Sequence, residues 1–313
     1  MKLKKPKFWD YKRANYLSYL LLPLTLPIII NNYFLKLNKN KNLDARIKKI
    51  CVGNIYVGGT AKTPLTIKIF NILKNFNLKS ATIKKFYPDQ IDEQRLLTAN
   101  TKLYCFKKRQ KALNEAIKDG IDVAVFDDGL QDRSINYDLK FVCFNNINFV
   151  GNGFLMPAGP LREKIESISK YDAVFINGNE KDNTNLKIEI LKHNKEIKIF
   201  ESCYKVTNLS QFNLNEKYII FSGIGNPESF KEILLLNKFN IIKEITFPDH
   251  YKYTQNDIEK IKSDAINLNA KILTTEKDFI KINLNKNKDI EFLKIDLDIK
   301  DEKRLFNYLK KYI

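Results

Sequence analysis

Ile50–Leu65 reads ICVGNIYVGGTAKTPL. An apolar run, read as a strand, enters a glycine-bearing loop, and the loop closes on Lys62-Thr63 where a helix begins. Leu65, Ile69, Ile72 and Phe76 mark one face of that helix by their i, i+4, i+7, i+11 spacing. This is the order of elements that phosphate binding needs. Gly58 and Gly59 let the main chain approach the phosphate oxygens, and the helix N-terminus presents unpaired N–H groups at the end of the Gly58-Gly59-Thr60-Ala61 loop. Lys62 is expected to reach the β- and γ-phosphates of ATP and to serve catalysis. The Thr63 hydroxyl is expected to bind Mg²⁺. The strict pattern G-x-x-x-x-G-K-[ST] is not met, because Tyr56 and Ala61 stand at its two glycine positions. If position 61 needs a positive φ, alanine carries a steric penalty that glycine avoids. An ordinary strand–helix turn is the plain alternative for this segment.

Working outward, Val123–Asp132 reads VAVFDDGLQD, an apolar strand ending in two carboxylates. Such a strand beside a phosphate loop holds the metal of a nucleotide, with Asp127 or Asp128 binding Mg²⁺ directly or through water. Alone, Asp-Asp-Gly is also a common polar turn. From Ile47 onward short apolar runs alternate with amphipathic stretches, which predicts an α/β fold with a largely parallel sheet. The clearest strands are Ile47–Val52, Ser80–Ile83, Leu103–Phe106, Val123–Phe126, Leu139–Phe144 and Ala173–Ile176. Ile197–Glu201, Tyr218–Phe221, Ile241–Thr246 and Ile272–Thr274 follow. Helices are predicted over Thr63–Phe76, Gln110–Lys118 (stopped by Gly120), Pro227–Leu236 and Gln255–Leu268. The polar stretch from Gly178 to Glu196 is expected to begin a crossing between two lobes. The chain is therefore divided into a P-loop domain, 1–200, and a smaller α/β domain, 201–313.

A chain of 313 residues with 44% apolar residues can bury a sizeable core, and it is not a disordered composition. Its formal charge of +18 suits a polyanionic partner, whether nucleic acid, anionic lipid or a phosphorylated substrate, or else reflects solvated lysines. Cys51, Cys105, Cys143 and Cys203 form no C-x-x-C pair, so neither a zinc site nor a disulfide framework is legible. Leu17–Ile30 reads LSYLLLPLTLPIII, shorter than the roughly 20 residues needed to span a bilayer. Residues 1–49 around it hold 12 Lys or Arg against 2 Asp. A helix over about 9–36 lying in a membrane interface is expected, with a Pro-kinked core helix as the alternative.

Four further strings complete the pattern: GNGFLMPAGPLRE (Gly151–Glu163), FSGIGNPESF (Phe221–Phe230), FPDHYKYT (Phe247–Thr254) and TTEKDFIKI (Thr274–Ile282). With the phosphate loop and DDGLQD, in the same order, they resemble the tetraacyldisaccharide 4′-kinase (lipid A 4′-kinase) family, from the apolar N-terminus to about residue 282. The resemblance implies transfer of the ATP γ-phosphate to the 4′-hydroxyl of a tetraacylated glucosamine disaccharide 1-phosphate, in lipid A biosynthesis. It further implies two α/β/α lobes, with the second closing the active-site cleft. The setting implied is the cytoplasmic face of the inner membrane; the basic charge adds an anionic lipid surface, no recognised nucleic-acid module is legible, and a monomer is expected. The resemblance assigns nucleotide contacts to Gln131 and Arg162, places Glu163 with Asp127, Asp128 and Thr63 near the metal, and makes Asp92 the base supported by His250. The FPDH string is intact, whereas the string around Asp92 is only Ile-Asp-Glu-Gln. The family's R-G-Y-G is replaced by Lys84-Lys85-Phe86-Tyr87.

Two motifs have simpler readings. Asn226 and Pro227 in GIGNP fit a helix cap and first helical turn, and Glu276-Lys277-Asp278 fits a polar turn as well as a site. The rival functions are a P-loop NTPase with another acceptor, a nucleic-acid-binding module prompted by the +18 charge, and a family member weakened by Ala61.

Overall fold

The computed structural model describes residues 5–37, 46–178, 182–282 and 288–313. Its strands are β1 (Lys48–Gly53), β2 (Ser80–Lys85), β3 (Leu103–Phe106), β4 (Val123–Asp127), β5 (Leu139–Asn145), β6 (Ala173–Asn177), β7 (Lys198–Val206), β8 (Lys217–Ser222), β9 (Asn240–Thr246), β10 (Lys271–Thr275), β11 (Ile290–Leu293) and β12 (Ile295–Ile299). The α-helices are α1 (Tyr16–Leu20), α2 (Leu26–Leu37), α3 (Lys62–Lys74), α4 (Ile91–Asn100), α5 (Arg109–Lys118), α6 (Thr184–His193), α7 (Pro227–Leu236), α8 (Gln255–Leu268), α9 (Glu276–Phe279) and α10 (Glu302–Tyr312).

The chain forms two compact units, and they are not the contiguous halves 1–200 and 201–313. The larger comprises Lys5–Tyr87, Leu97–Cys203 and Asp298–Ile313, and the smaller takes Pro88–Leu96 together with Tyr204–Leu297. The predicted start of a crossing at Gly178 is also corrected. Thr184–His193 is a helix whose Ile190 is fully buried beside Ile176 and Val174 of β6, so this stretch completes the larger unit. Asn179–Lys181 lie outside the described residues.

Among the described residues an eight-stranded sheet, built mainly from the larger unit, runs in the order β12-β7-β6-β5-β1-β4-β2-β3. All the pairings from β7 to β3 are parallel. Both faces are covered, which is why these strands read as unbroken apolar runs. Ala124 and Phe126 of β4 pack with Ala112, Leu113 and Ala116 of α5 on one side, while Val142 and Phe144 of β5 join Ile176 and Ile190 in another cluster. Beside β1 the chain changes direction across the sheet. Strands β4, β2 and β3 lie on one side and β5 onward on the other. Ligands of open α/β sheets bind beyond the C-terminal strand ends at such a point.

The smaller unit has a four-stranded parallel sheet, β11-β10-β8-β9. Strand alternation divides its core in two. Tyr218 and Ile220 face Phe230, Ile233 and Leu234 of α7, and Ile219 and Phe221 face Ile258, Ile261 and Ala265 of α8.

The N-terminal segment is not the single helix expected over 9–36. It consists of a 3₁₀ turn at Lys7–Asp10, α1, a second 3₁₀ turn at Leu22–Thr25, and α2. Pro23 and Pro27 offer no N–H to a continuous helix, so each marks the start of a new piece. Among the described residues, no helix is long and apolar enough to cross a membrane.

Candidate active site

The phosphate loop springs from the C-terminal end of β1 and lies next to the end of β4, with Val52 and Asp127 as register partners. Asn54 braces the loop from inside, its Nδ2 donating to the Tyr56 carbonyl and to Thr60 Oγ1 at 3.0 Å. Tyr56 is 2% exposed and its hydroxyl donates to Asp10. The tyrosine in place of glycine thus anchors the loop to the N-terminal segment. Ala61, at the N-cap of α3, has φ 63° and ψ 23°, in the left-handed region. The strain foreseen for alanine is therefore present.

Helix α3 carries Lys62 and Thr63 to the acidic pair. Thr63 Oγ1 donates to Asp127 Oδ2 at 3.1 Å, and Lys62 Nζ lies 3.9 Å from Asp128 Oδ1. Asp127 is fully buried and Asp128 has φ 55°, so the chain turns sharply between them and the carboxylates take different partners. Arg162 holds Asp128 through Nη1, at 2.9 Å from Oδ1 and 3.2 Å from Oδ2. The Gly151–Glu163 string reaches this place by pairing with the phosphate loop. Val57 N–H donates to the Pro160 carbonyl at 2.9 Å, and Arg162 N–H to the Ile55 carbonyl at 2.7 Å. Gln131 then links three parts of the site. Its Nε2 donates to the Asn54 carbonyl and to Glu163 Oε1, both at 3.0 Å, and its Oε1 accepts from Arg162 at 3.3 Å. Tyr171 also donates to Glu163 Oε1, at 3.2 Å. Burial first, and then the Glu163 charge, push the Tyr171 phenol well above its usual range, so it remains a donor.

Of the four residues expected to hold metal, Thr63 and Asp127 form a contiguous pair of hard oxygen ligands. Asp128 and Glu163 are engaged by Arg162 and by Gln131 and Tyr171. Among the described residues, no three acidic, histidine or cysteine side chains converge into a cation cage. That donor set fits Mg²⁺, which takes one or two protein oxygens and completes its octahedron with water and phosphate oxygens.

Three members of this half were not singled out from the sequence. Thr66 Oγ1 sits 3.4 Å from Asp127 Oδ1. Arg109, at the start of α5, pairs with Asp132 at 3.1 Å and donates to the Asp128 carbonyl. Lys84 Nζ lies 2.7 Å from Asp127 Oδ2. The sequence signal for Lys84 was its place in the altered 84–87 string, but its target depends on strand register.

A second cluster lies within the smaller unit. Asp92, in the first turn of α4, is 4% exposed. His250 Nδ1 is 2.9 Å from its Oδ1 and 3.0 Å from its Oδ2. His250 has φ 56°, and its N–H donates to the Gly223 carbonyl at 3.2 Å, so the loop after β9 is held in an uncommon conformation to present the ring. Lys277 and Lys281 flank the carboxylate, at 3.4 and 3.3 Å from Asp92 Oδ2. Lys277 also faces Glu93 at 3.3 Å and Asp249 at 3.5 Å. Burial alone drives the Asp92 carboxyl upward. The His250 hydrogen bond and the charges of Lys277, His250 and Lys281 outweigh it and hold the pKa well below the usual carboxylate range. For Lys277, burial opposes the charge, but Glu93, Asp249 and Asp92 keep its pKa above the ordinary lysine value. Thus Glu276-Lys277-Asp278 is more than a polar turn: Asp278 accepts from the Gly223 N–H at 2.9 Å while Lys277 faces Asp92. Asn226 does occupy the N-cap of α7, but its side chain makes no capping hydrogen bond, and Pro227 alone fits the expectation there.

The sequence profile of the tetraacyldisaccharide-1-P 4′-kinase family, LpxK, matches residues 17–313. The chain belongs to this family. A tetraacyldisaccharide 4′-kinase of Pelagibacter ubique is 50% identical over 99% of this chain and 98% of its own length. That of Rickettsia canadensis is 33% identical over 96% of this chain and 94% of its own. The fold is similar to that of LpxK from Aquifex aeolicus, solved in complex with ATP. The TM-score is 0.70 at 22% identity, over 95% of this chain and 99% of the other. Lys62, Thr63, Asp127, Asp128, Arg162 and His250 stand in the motifs quoted above, whereas Asp92 stands in a departing string.

Proposed function

We propose that the chain is an ATP-dependent kinase that transfers the γ-phosphate to the 4′-hydroxyl of a tetraacylated glucosamine disaccharide 1-phosphate, forming a lipid A precursor. The observation that carries the nucleotide half is the approach of Thr63 to Asp127 at 3.1 Å with Lys62 beside Asp128 at 3.9 Å. The acceptor rests on family membership and on relatives that bear the kinase's name.

In this reading Gly58–Ala61 wraps the triphosphate, Lys62 neutralises the β- and γ-oxygens, and Arg162 and Gln131 orient the nucleotide end. Thr63 and Asp127 would hold Mg²⁺, with Asp128 and Glu163 at its edge, and the metal would neutralise charge on the β- and γ-phosphates. As the acceptor oxygen bonds to phosphorus and the bond to ADP breaks, the hydroxyl proton passes to the Asp92–His250 pair. Asp92 is ionised across the working pH range, so it is always ready to accept. Its depressed basicity is tolerable because a loose phosphoryl-transfer transition state leaves proton removal late and lightly demanding. Lys277 and Lys281 keep that carboxylate charged and fixed.

The site of action we infer is the cytoplasmic face of the inner membrane, reached as a peripheral or monotopic protein. Tyr16 is 77% exposed and Leu20 72%, with Leu24 and Leu26 also exposed, an apolar surface beside a basic terminus that suits an anionic interface.

Incubation with ATP, Mg²⁺ and the tetraacylated precursor, followed by mass spectrometry, tests the assignment. One added phosphate at the 4′ position is expected. ATP hydrolysis without that product would instead favour an NTPase with another acceptor. Asp92→Ala and His250→Ala are expected to lower kcat by about 10²-fold or more while leaving ATP affinity intact.

A further inference from the structure

Asp127 is matched with an unusual neighbour. Lys84 is its direct register partner on the adjacent parallel strand, so β2 and β4 present ammonium and carboxylate side by side. The separation is 2.7 Å, with the lysine side chain 2% exposed and the aspartate fully buried. Lysine is among the residues least often buried, and a buried one is normally paired. Oδ2 of Asp127, the oxygen that meets Lys84, is also the oxygen that accepts from Thr63, while Oδ1 faces Thr66 at 3.4 Å. Three groups therefore fix one rotamer, and one of the three brings a full positive charge.

We propose that Lys84 is a positioning residue that holds Asp127 in place for metal and, by offsetting its charge, makes metal binding depend on the nucleotide. The inference rests on the reading of Thr63 and Asp127 as the metal pair. A carboxylate within 3 Å of a buried ammonium has lost most of the attraction it would offer a second cation, because nearby water is too scarce to screen the first. A divalent ion arriving alone gains little at Asp127. The same ion arriving on a triphosphate brings its own anionic oxygens and needs from the protein only oriented donors. The geometry of Asp127 is thus kept ready without the site acting as a general cation trap.

The test compares wild type with Lys84→Met, Lys84→Arg and Asp127→Asn, reading Mn²⁺ binding by electron paramagnetic resonance with and without ADP. Wild type is expected to bind free Mn²⁺ at least about tenfold more weakly than Lys84→Met, because removing the ammonium restores the carboxylate's full charge. Lys84→Met should be less stable to denaturant without metal and recover with Mn²⁺, whereas Lys84→Arg should keep wild-type metal affinity. If Lys84→Met does not fold, Lys84→Gln, which keeps an N–H donor and drops the charge, is read in its place. Equal free Mn²⁺ affinity in wild type and the neutral variant overturns the proposal, as does Lys84→Arg behaving like the neutral variant. Asp127→Asn separates the two levels. If it leaves Mn²⁺·ADP binding intact, the metal reading itself fails. If it abolishes that binding while the neutral Lys84 variant changes nothing, Lys84 alone is wrongly assigned.

Discussion

A single methyl group at residue 61 distinguishes this phosphate loop from one built on glycine. At φ 63° an alanine is strained by about 1–2 kcal/mol, and glycine is not. Ala61→Gly is expected to raise stability by about 1 kcal/mol, after allowing for glycine's greater freedom in the unfolded chain, and to tighten ATP several-fold. Urea unfolding and titration calorimetry measure the two effects. Asp92 makes a prediction about acid. Its folded pKa is depressed, so its contribution is fully present above the unfolded value of about 4 and is lost as pH falls through the lower folded value. Asp92→Asn should therefore cost on the order of 3 kcal/mol at pH 7 and the same at pH 5, with the gap to wild type closing only below about pH 4. Denaturant titrations at the three pH values check the sign. Lys62 and Thr63 open the helix after β1 and Asp127 closes β4, places that local sequence pattern makes legible. The partners of Lys84 and Lys277 were not legible, since one acts across strand register and the other through a loop fold that brings residues 92, 250 and 277 together.

At the scale of elements, the Gly151–Glu163 loop carries the N-terminal segment. Trp9 Nε1 donates to the Pro157 carbonyl at 3.0 Å, and the Trp9 carbonyl accepts from Asn152 N–H at 2.9 Å. Gly151 permits this approach. It has φ +58°, and a Cβ placed there would meet the Trp9 carbonyl oxygen at 2.1 Å. Gly151→Ala is therefore expected to undock residues 5–20, destabilise the protein by about 2 kcal/mol or more, and weaken vesicle binding. Trp9 is the only tryptophan in the chain, so a red shift of its emission reports the change directly. Deleting the apolar run itself should move the protein from membrane to soluble fractions. Elements with strong periodicity, such as α7 and α8, match their sequence-based limits to the residue. Helix α10 and strands β11 and β12 were not anticipated. In β12 exposed and buried positions alternate over only five residues, and α10 buries just Leu305 and Leu309. Such short apolar signals carry little weight without the surface they cover.

For the whole molecule, a boundary near residue 200 came close to one true passage, Cys203 to Tyr204, but missed the others at Tyr87/Pro88, Leu96/Leu97 and Leu297/Asp298. Composition changes along a chain reveal contiguous domains; they say nothing of a terminal helix that returns to the first. Within the larger unit, α10 packs Phe306 against Phe76 with the rings tilted, centroids 4.5 Å apart, packs Tyr308 against Phe200 at 5.9 Å, and pairs Glu302 with Lys68 at 2.7 Å. Losing Leu305 and Leu309 as well removes burial worth several kcal/mol, a large share of a domain's total of about 5–15. A chain truncated after residue 300 should lose soluble expression and ATP binding together, which a nucleotide-affinity column measures. The same return of the C-terminus sets a timetable during synthesis. The phosphate loop emerges from the ribosome early, yet the helix that seals its unit is translated only after the whole of the smaller unit. Nucleotide binding therefore becomes secure only once α10 has left the ribosome, and a nascent chain stalled before it would depend on chaperones to shield the uncovered sheet.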